Sequence, residues 1–171
     1  MNPIESLHEG LQWANGLLEM VMADVTPDQL HWLPPGNAHP IGSTYAHGVI
    51  GEDMLVHNLL QGKTPLFMSS WSGQTGVSEP SFHQTLEWTR SVKIDLPQLR
   101  KYAQAVYAAA EAYIDSLSEQ DLDRKIELSD SGLGEHTLNW CIQALIIAHL
   151  NNMSGEISAA KGMQGAQGYP F

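Results

Sequence analysis

Eight histidines and one cysteine define the chemistry open to this chain. A neutral imidazole is the commonest metal ligand and the one side chain that titrates near physiological pH unperturbed. His149 and Met153 lie four residues apart beside the chain's most apolar run. A helix places them on one face about 6 Å apart, close enough to address one ion. His47 sits in a second apolar-periodic stretch and can supply a ligand from a facing helix. His57 cannot share that ion, because ten helical residues span about 15 Å. Each candidate has a plainer role open to it. A histidine on an apolar face is more often a hydrogen-bonded core residue, and methionine is a common core filler and a poor zinc ligand. Cys141, buried in the apolar run, reads as an inert thiol. His8, His31, His39, His83 and His136 fall on outward or loop positions. Glu52, Asp53 and Glu156 read as solvated or capping carboxylates, with Glu52 and Glu156 close enough in sequence to support His47 and His149 from behind.

Four long helices are needed to bring these residues together, and hydrophobic periodicity predicts four. The first spans about Ile4 to Met22, with heptad rows Ile4, Leu11, Leu18 and Leu7, Ala14, Val21. Glu5, Glu9 and Glu19 lie off that seam and are expected in water. The second runs from Ile41–Ser43 to near Gly62, the third from Leu96 to Leu117, and the fourth from Thr137 to about Lys161. From Cys141 to Leu150 the fourth is apolar on nearly every face, which predicts the most buried element. Thr26-Pro27-Asp28-Gln29, Ser81 with Gln84, and Ser118 to Asp121 announce short extra helical turns. Residues 62–80 lose their period and fill with Gly, Ser and Pro, predicting a long loop of the kind that often forms lids or binding loops. Arg124 to Leu128 reads as extended, and the tail Tyr169-Pro170-Phe171 is expected to tuck onto the body. The fold expected is all-α, a four-helix bundle in one domain over 1–171.

Composition narrows the partners. With 8 basic and 19 acidic residues the formal charge is −11. Such a surface repels phosphate backbones and anionic lipid, so neither nucleic acid nor membrane is an expected partner. One cysteine leaves no disulfide framework and no multi-thiolate zinc site. No run reaches the ~18–20 apolar residues of a membrane span, and MNPIESLHEG lacks signal-peptide order. A cytoplasmic protein acting on a small molecule is expected.

Ser43-Thr44-Tyr45-Ala46-His47, with Glu52 five residues after the histidine, resembles the second-helix motif of the DinB-like, or YfiT-like, proteins. Ile147-Ala148-His149-Leu150-Asn151-Asn152-Met153-Ser154-Gly155-Glu156-Ile157 is similar to that family's fourth-helix signature, in which two histidines four apart precede a small residue, Gly and Gln or Glu. Lys161 to Gly165 and Gly168 to Phe171 resemble the tails of a bacterial subset. The resemblance implies a bundle, often a homodimer, with a divalent metal (Zn, Ni or Fe) held by three histidines at one end. Relatives include transferases using a low-molecular-weight thiol (bacillithiol or glutathione) and the mycothiol-dependent maleylpyruvate isomerase. There the metal is thought to hold the thiol as thiolate. Carried over by position, His47 and His149 match two metal ligands, and the third ligand position is occupied by Met153. A thioether suits copper(I) rather than zinc or nickel.

Three readings follow. The chain is a metal-dependent, thiol-using transferase or hydrolase-like enzyme whose site departs from the family at Met153. Alternatively it is a metal-depleted, non-enzymatic protein that binds a small molecule or serves a stress response. The third reading is a dimerisation module.

Overall fold

The computed structural model describes residues 2–171. Helix α1 (Pro3–Met22) opens on a reciprocal cap. Asn2 Oδ1 accepts from the Glu5 amide at 2.8 Å, and Glu5 Oε2 accepts from the Asn2 amide at 3.0 Å. Its seam buries Leu7, Leu11, Ala14, Leu18 and Val21, the heptad rows expected, with Ile4 at the partly covered end. Thr26 and Gln29 cap α2 (Pro27–Leu30) in the same way. Helix α3 (Ile41–Asp53) runs straight on through a wider turn, Met54–Leu59, where the Leu60 amide bonds the Leu55 carbonyl, five residues back. A short helix α4 (Leu86–Ser91) follows. Its cap is Thr85 rather than Ser81, whose hydroxyl closes a local turn with His83.

Asp95 caps α5 (Leu96–Asp115) by accepting from the Gln98 amide at 3.1 Å. The extended stretch expected before the last helix is half of a hairpin. Strands β1 (Lys125–Leu128) and β2 (Gly134–Thr137) pair antiparallel, with Ile126 opposite His136. The last long rod combines α6 (Leu138–Trp140), a wide turn at Cys141–Ile147, and α7 (Ala148–Met163). In the bundle α1 packs on α7 and α5, and α3 packs on the same two helices. Leu11, Leu18, Ile50, Leu99, Leu150 and Ile157 are almost fully buried at its centre. Truncating any of them to alanine would cost about 2–5 kcal/mol. Among the described residues no helix is long and apolar enough to cross a membrane.

Three expectations change. The most buried rod is α3 rather than the fourth helix, where Gln143 and Ala148 are exposed. Small residues explain this, because they let neighbouring helices close on α3 from all sides. A Cβ on Gly48 would stand 3.4 Å from Met153 Cγ, and one on Gly51 would stand 3.4 Å from His149 Cε1. The 62–80 segment contains an ordered turn at Leu66–Met68, and Val77 bridges to Ile94. Both ends of the loop are therefore fastened to the body. The tail tucks in only in part: Gly168 lies against Ser158 and the Tyr169 hydroxyl against Gly155 of α7, while Phe171 is 78% exposed and stacks on Tyr169.

Candidate metal centre

Helices α3 and α7 bring His47 and His149 together across 102 residues of sequence. Their Nε2 atoms are 3.2 Å apart, and the rings meet edge to face at 88°. Gly51 makes room for this, since its bare Cα faces the His149 ring edge. Burial pushes His47 down to about 4, with His149 and His39 adding to the effect, and burial also lowers His149. Both rings are thus neutral at pH 7, and one donates an Nε2–H to the other's lone pair.

The same separation suits a metal. Two nitrogens at ~2.0–2.1 Å from a tetrahedral ion stand ~3.3 Å apart. The pair therefore fits two adjoining positions of one ion. The rest of the family's site does not fit. Among the described residues no three His, Cys, Asp or Glu side chains converge. Met153 is buried, with its Cγ against Gly48, and offers only a thioether. A histidine that binds metal through Nε2 carries its proton on Nδ1 and needs an acceptor there. His47 Nδ1 is buried without one.

The carboxylates expected in water or behind the histidines are elsewhere. Glu52 is buried and turns to α1, accepting from Asn15 Nδ2 at 3.2 Å rather than supporting His47. Glu156 is exposed and lies about two turns from His149. Asp53 is fully buried, and its carboxylate serves three donors with His57 beside it. The Leu66 amide donates to Oδ1 at 2.9 Å, and the Phe67 amide and Tyr102 hydroxyl donate to Oδ2 at 2.9 and 2.6 Å; His57 Nδ1 lies 2.7 Å from Oδ1 and shares a hydrogen bond with the Asp53 main-chain carbonyl at 3.2 Å. One carboxylate thereby fastens the 62–80 segment to the bundle. Glu19, also expected in water, accepts from Tyr45 at 2.6 Å and Tyr107 at 2.9 Å. Cys141 is buried, and burial raises its thiol, as an inert cysteine requires.

Four of the remaining histidines have partners of their own, and His83 meets the neighbouring Phe82 ring. His8 pairs with Asp115, His31 accepts from the Ile94 amide, His39 meets Thr89, and His136 stacks on Trp140. Sequence reasoning missed Tyr102, Tyr107 and Asn15. Their inward spacing on α5 and α1 is the only local sign of burial, and their partners are remote in sequence.

The model of the DinB superfamily matches residues 11–152, which include His47 and His149 and end just before Met153. The chain belongs to the DinB superfamily. A crystal structure described as the conserved protein of locus from Enterococcus faecalis superposes with a TM-score of 0.79 at 20% identity, covering 94% of this chain and 96% of that one. At that identity the likeness concerns the DinB fold alone. No curated protein matches the sequence.

Proposed function

We propose that this DinB protein binds a divalent transition-metal ion (Zn, Ni or Fe) through His47 and His149, as a reduced form of its family's three-histidine centre. The observation that carries the reading is the 3.2 Å approach of two neutral imidazoles from different helices. The chemistry proposed is transfer involving a low-molecular-weight thiol and a small-molecule substrate. A bound divalent ion would supply Lewis-acid stabilisation of the thiolate near neutral pH. The chain's own part is to present two lone pairs in a half-buried site and to leave the other positions to water or thiol. A homodimer belongs to the same proposal, with Trp13 (56% exposed) and Met20 (37% exposed) on α1 as apolar contact groups.

Calorimetric titration of the protein with Zn²⁺ and Ni²⁺ tests the reading. One equivalent should bind, and His149→Ala should abolish binding. Binding that survives His149→Ala, or none in the parent, rejects the site.

A second reading has its own support. Met153 at the third position and the unpartnered His47 Nδ1 favour a metal-depleted, non-enzymatic binding protein. The surface depression of about 650 Å³ beside Gln74, Ser78, Lys93 and Gln98 would then be its small-molecule site. In that case the titration shows no metal, and small-molecule binding is lost on changing Gln74 or Lys93 rather than His149.

A further inference from the structure

Glu52 and Asn15 face each other between α3 and α1 with 1% and 5% of their surface exposed. One hydrogen bond is already in place, from Asn15 Nδ2 to Glu52 Oε1 at 3.2 Å. The other two oxygens of the pair, Glu52 Oε2 and Asn15 Oδ1, are both buried without a donor. Two orphaned acceptors on the same two side chains share one remedy, a single proton between them. We propose that Glu52 is held as the neutral acid and donates its O–H to Asn15 Oδ1, closing a two-bond acid–amide ring that ties α3 to α1.

The surroundings agree. The charged groups acting on Glu52 are Asp53 on its own helix and Glu111 on α5, and no Lys, Arg or His is among them. Tyr102 and Tyr107 on α5 also feel it, but their hydroxyls donate to Asp53 and Glu19. His8, seven residues before Asn15 on α1, lies against Asp115 and Glu111. An ionised Glu52 would be a buried anion with one neutral hydrogen bond among like charges, the least favourable arrangement for a carboxylate. Burial pushes its carboxyl up to about 8, against the Asn15 bond and with help from Asp53 and Glu111. The ring requires no metal and stands whether or not His47 and His149 bind one.

The sign of the pH effect follows. The folded chain keeps a proton on Glu52 that the unfolded chain releases near its ordinary carboxylate value. Stability from this group is full below that value and is lost as pH rises towards 8. Glu52→Gln keeps both bonds of the ring and removes the proton equilibrium. Relative to Glu52→Gln, the unfolding constant of the parent should rise about tenfold per pH unit between pH 5 and 8 and level off above. The two proteins should be equally stable near pH 5. An equal destabilisation of Glu52→Gln at every pH would overturn the proposal, since it would mean an ionised carboxylate in the parent. Infrared spectroscopy gives a second test that needs no comparison of stabilities. The parent at pH 6.5 should show a protonated-carboxyl C=O band that Glu52→Gln lacks, and its absence from the parent would also overturn the proposal.

Discussion

His47 and His57 lie ten residues apart on one continuous rod, and the protein treats them in opposite ways. His57 has an anionic partner: its Nδ1 meets Asp53 at 2.7 Å, and Asp53 is itself saturated by Leu66, Phe67 and Tyr102. His47 has no anion and no acceptor for Nδ1, and it meets only another neutral imidazole. A fully satisfied polar cluster of the first kind is a fastening, and here it pins the start of the 62–80 segment. An under-satisfied pair in a half-buried position shares one Nε2–H that an incoming ion could displace, which a saturated cluster does not offer. The wide helical turns follow the same division. Met54–Leu59 holds His57, and Cys141–Ile147 ends two residues before His149.

The contrast breaks most severely at Asp53. Asp53→Ala leaves three donors without their acceptor and His57 without its anion, so a loss of about 3–5 kcal/mol is expected by denaturant titration, with the 62–80 segment becoming protease-sensitive. Loss of His149 metal binding without such a stability loss would confirm that the two clusters are different in kind.

Acid should act on the His47 side next. With His47 held near 4, the folded chain resists a proton that the unfolded chain takes up below about 6.5. Its contribution is present above that value and fades as pH falls towards 4, by at most about 3 kcal/mol. His47→Asn should flatten this acid limb of the stability–pH curve. Over the interval between the two unfolded values, Glu52 works in the opposite direction, so the parent curve alone would look flatter than either component.

Met153→His restores a third imidazole on the His149 face. Structural zinc sites gain roughly 3 kcal/mol per ligand, so Zn²⁺ affinity should rise on the order of a hundredfold in calorimetry. No change would mean that the α7 face at 153 does not point at the pair's ion. Tyr102→Phe should have the smallest effect, about 1–2 kcal/mol, because it removes one of the three donors to the Asp53 carboxylate. It should leave metal binding untouched.

The histidine pair was legible because a single helix–helix packing defines it. His149 and Met153 share a helical face by spacing, and the placement of His47 needed only two helices to pack. The capping sequences likewise marked Thr26-to-Gln29 and Asp95-to-Gln98 correctly, and the short helix near Ser81 with a shift to Thr85, whereas the Asn2-to-Glu5 cap went unread. The buried carboxylates were illegible for the converse reason. Glu19, Glu52 and Asp53 look like ordinary surface residues until Tyr45, Tyr107, Asn15 and Tyr102 arrive from elsewhere in the chain. One local sign was present, the i, i+4 spacing of Asp53 and His57, but by itself it fits an exposed pair equally well. The depth of α3 had a signal too: Gly42, Ala46, Gly48 and Gly51 leave room for neighbours to close in. Apolar content misdirected attention to the fourth helix, because it measures what a residue prefers and not how closely neighbours can approach.

The most direct test of the account is the ¹⁵N spectrum of the histidine side chains at pH 7.5 during addition of Zn²⁺. The account predicts that the Nε2 resonances of His47 and His149 shift together and saturate near one equivalent, while those of His57, held by Asp53, stay in place. Resonances of His47 and His149 that remain unmoved, or a response at His57 instead, would contradict it.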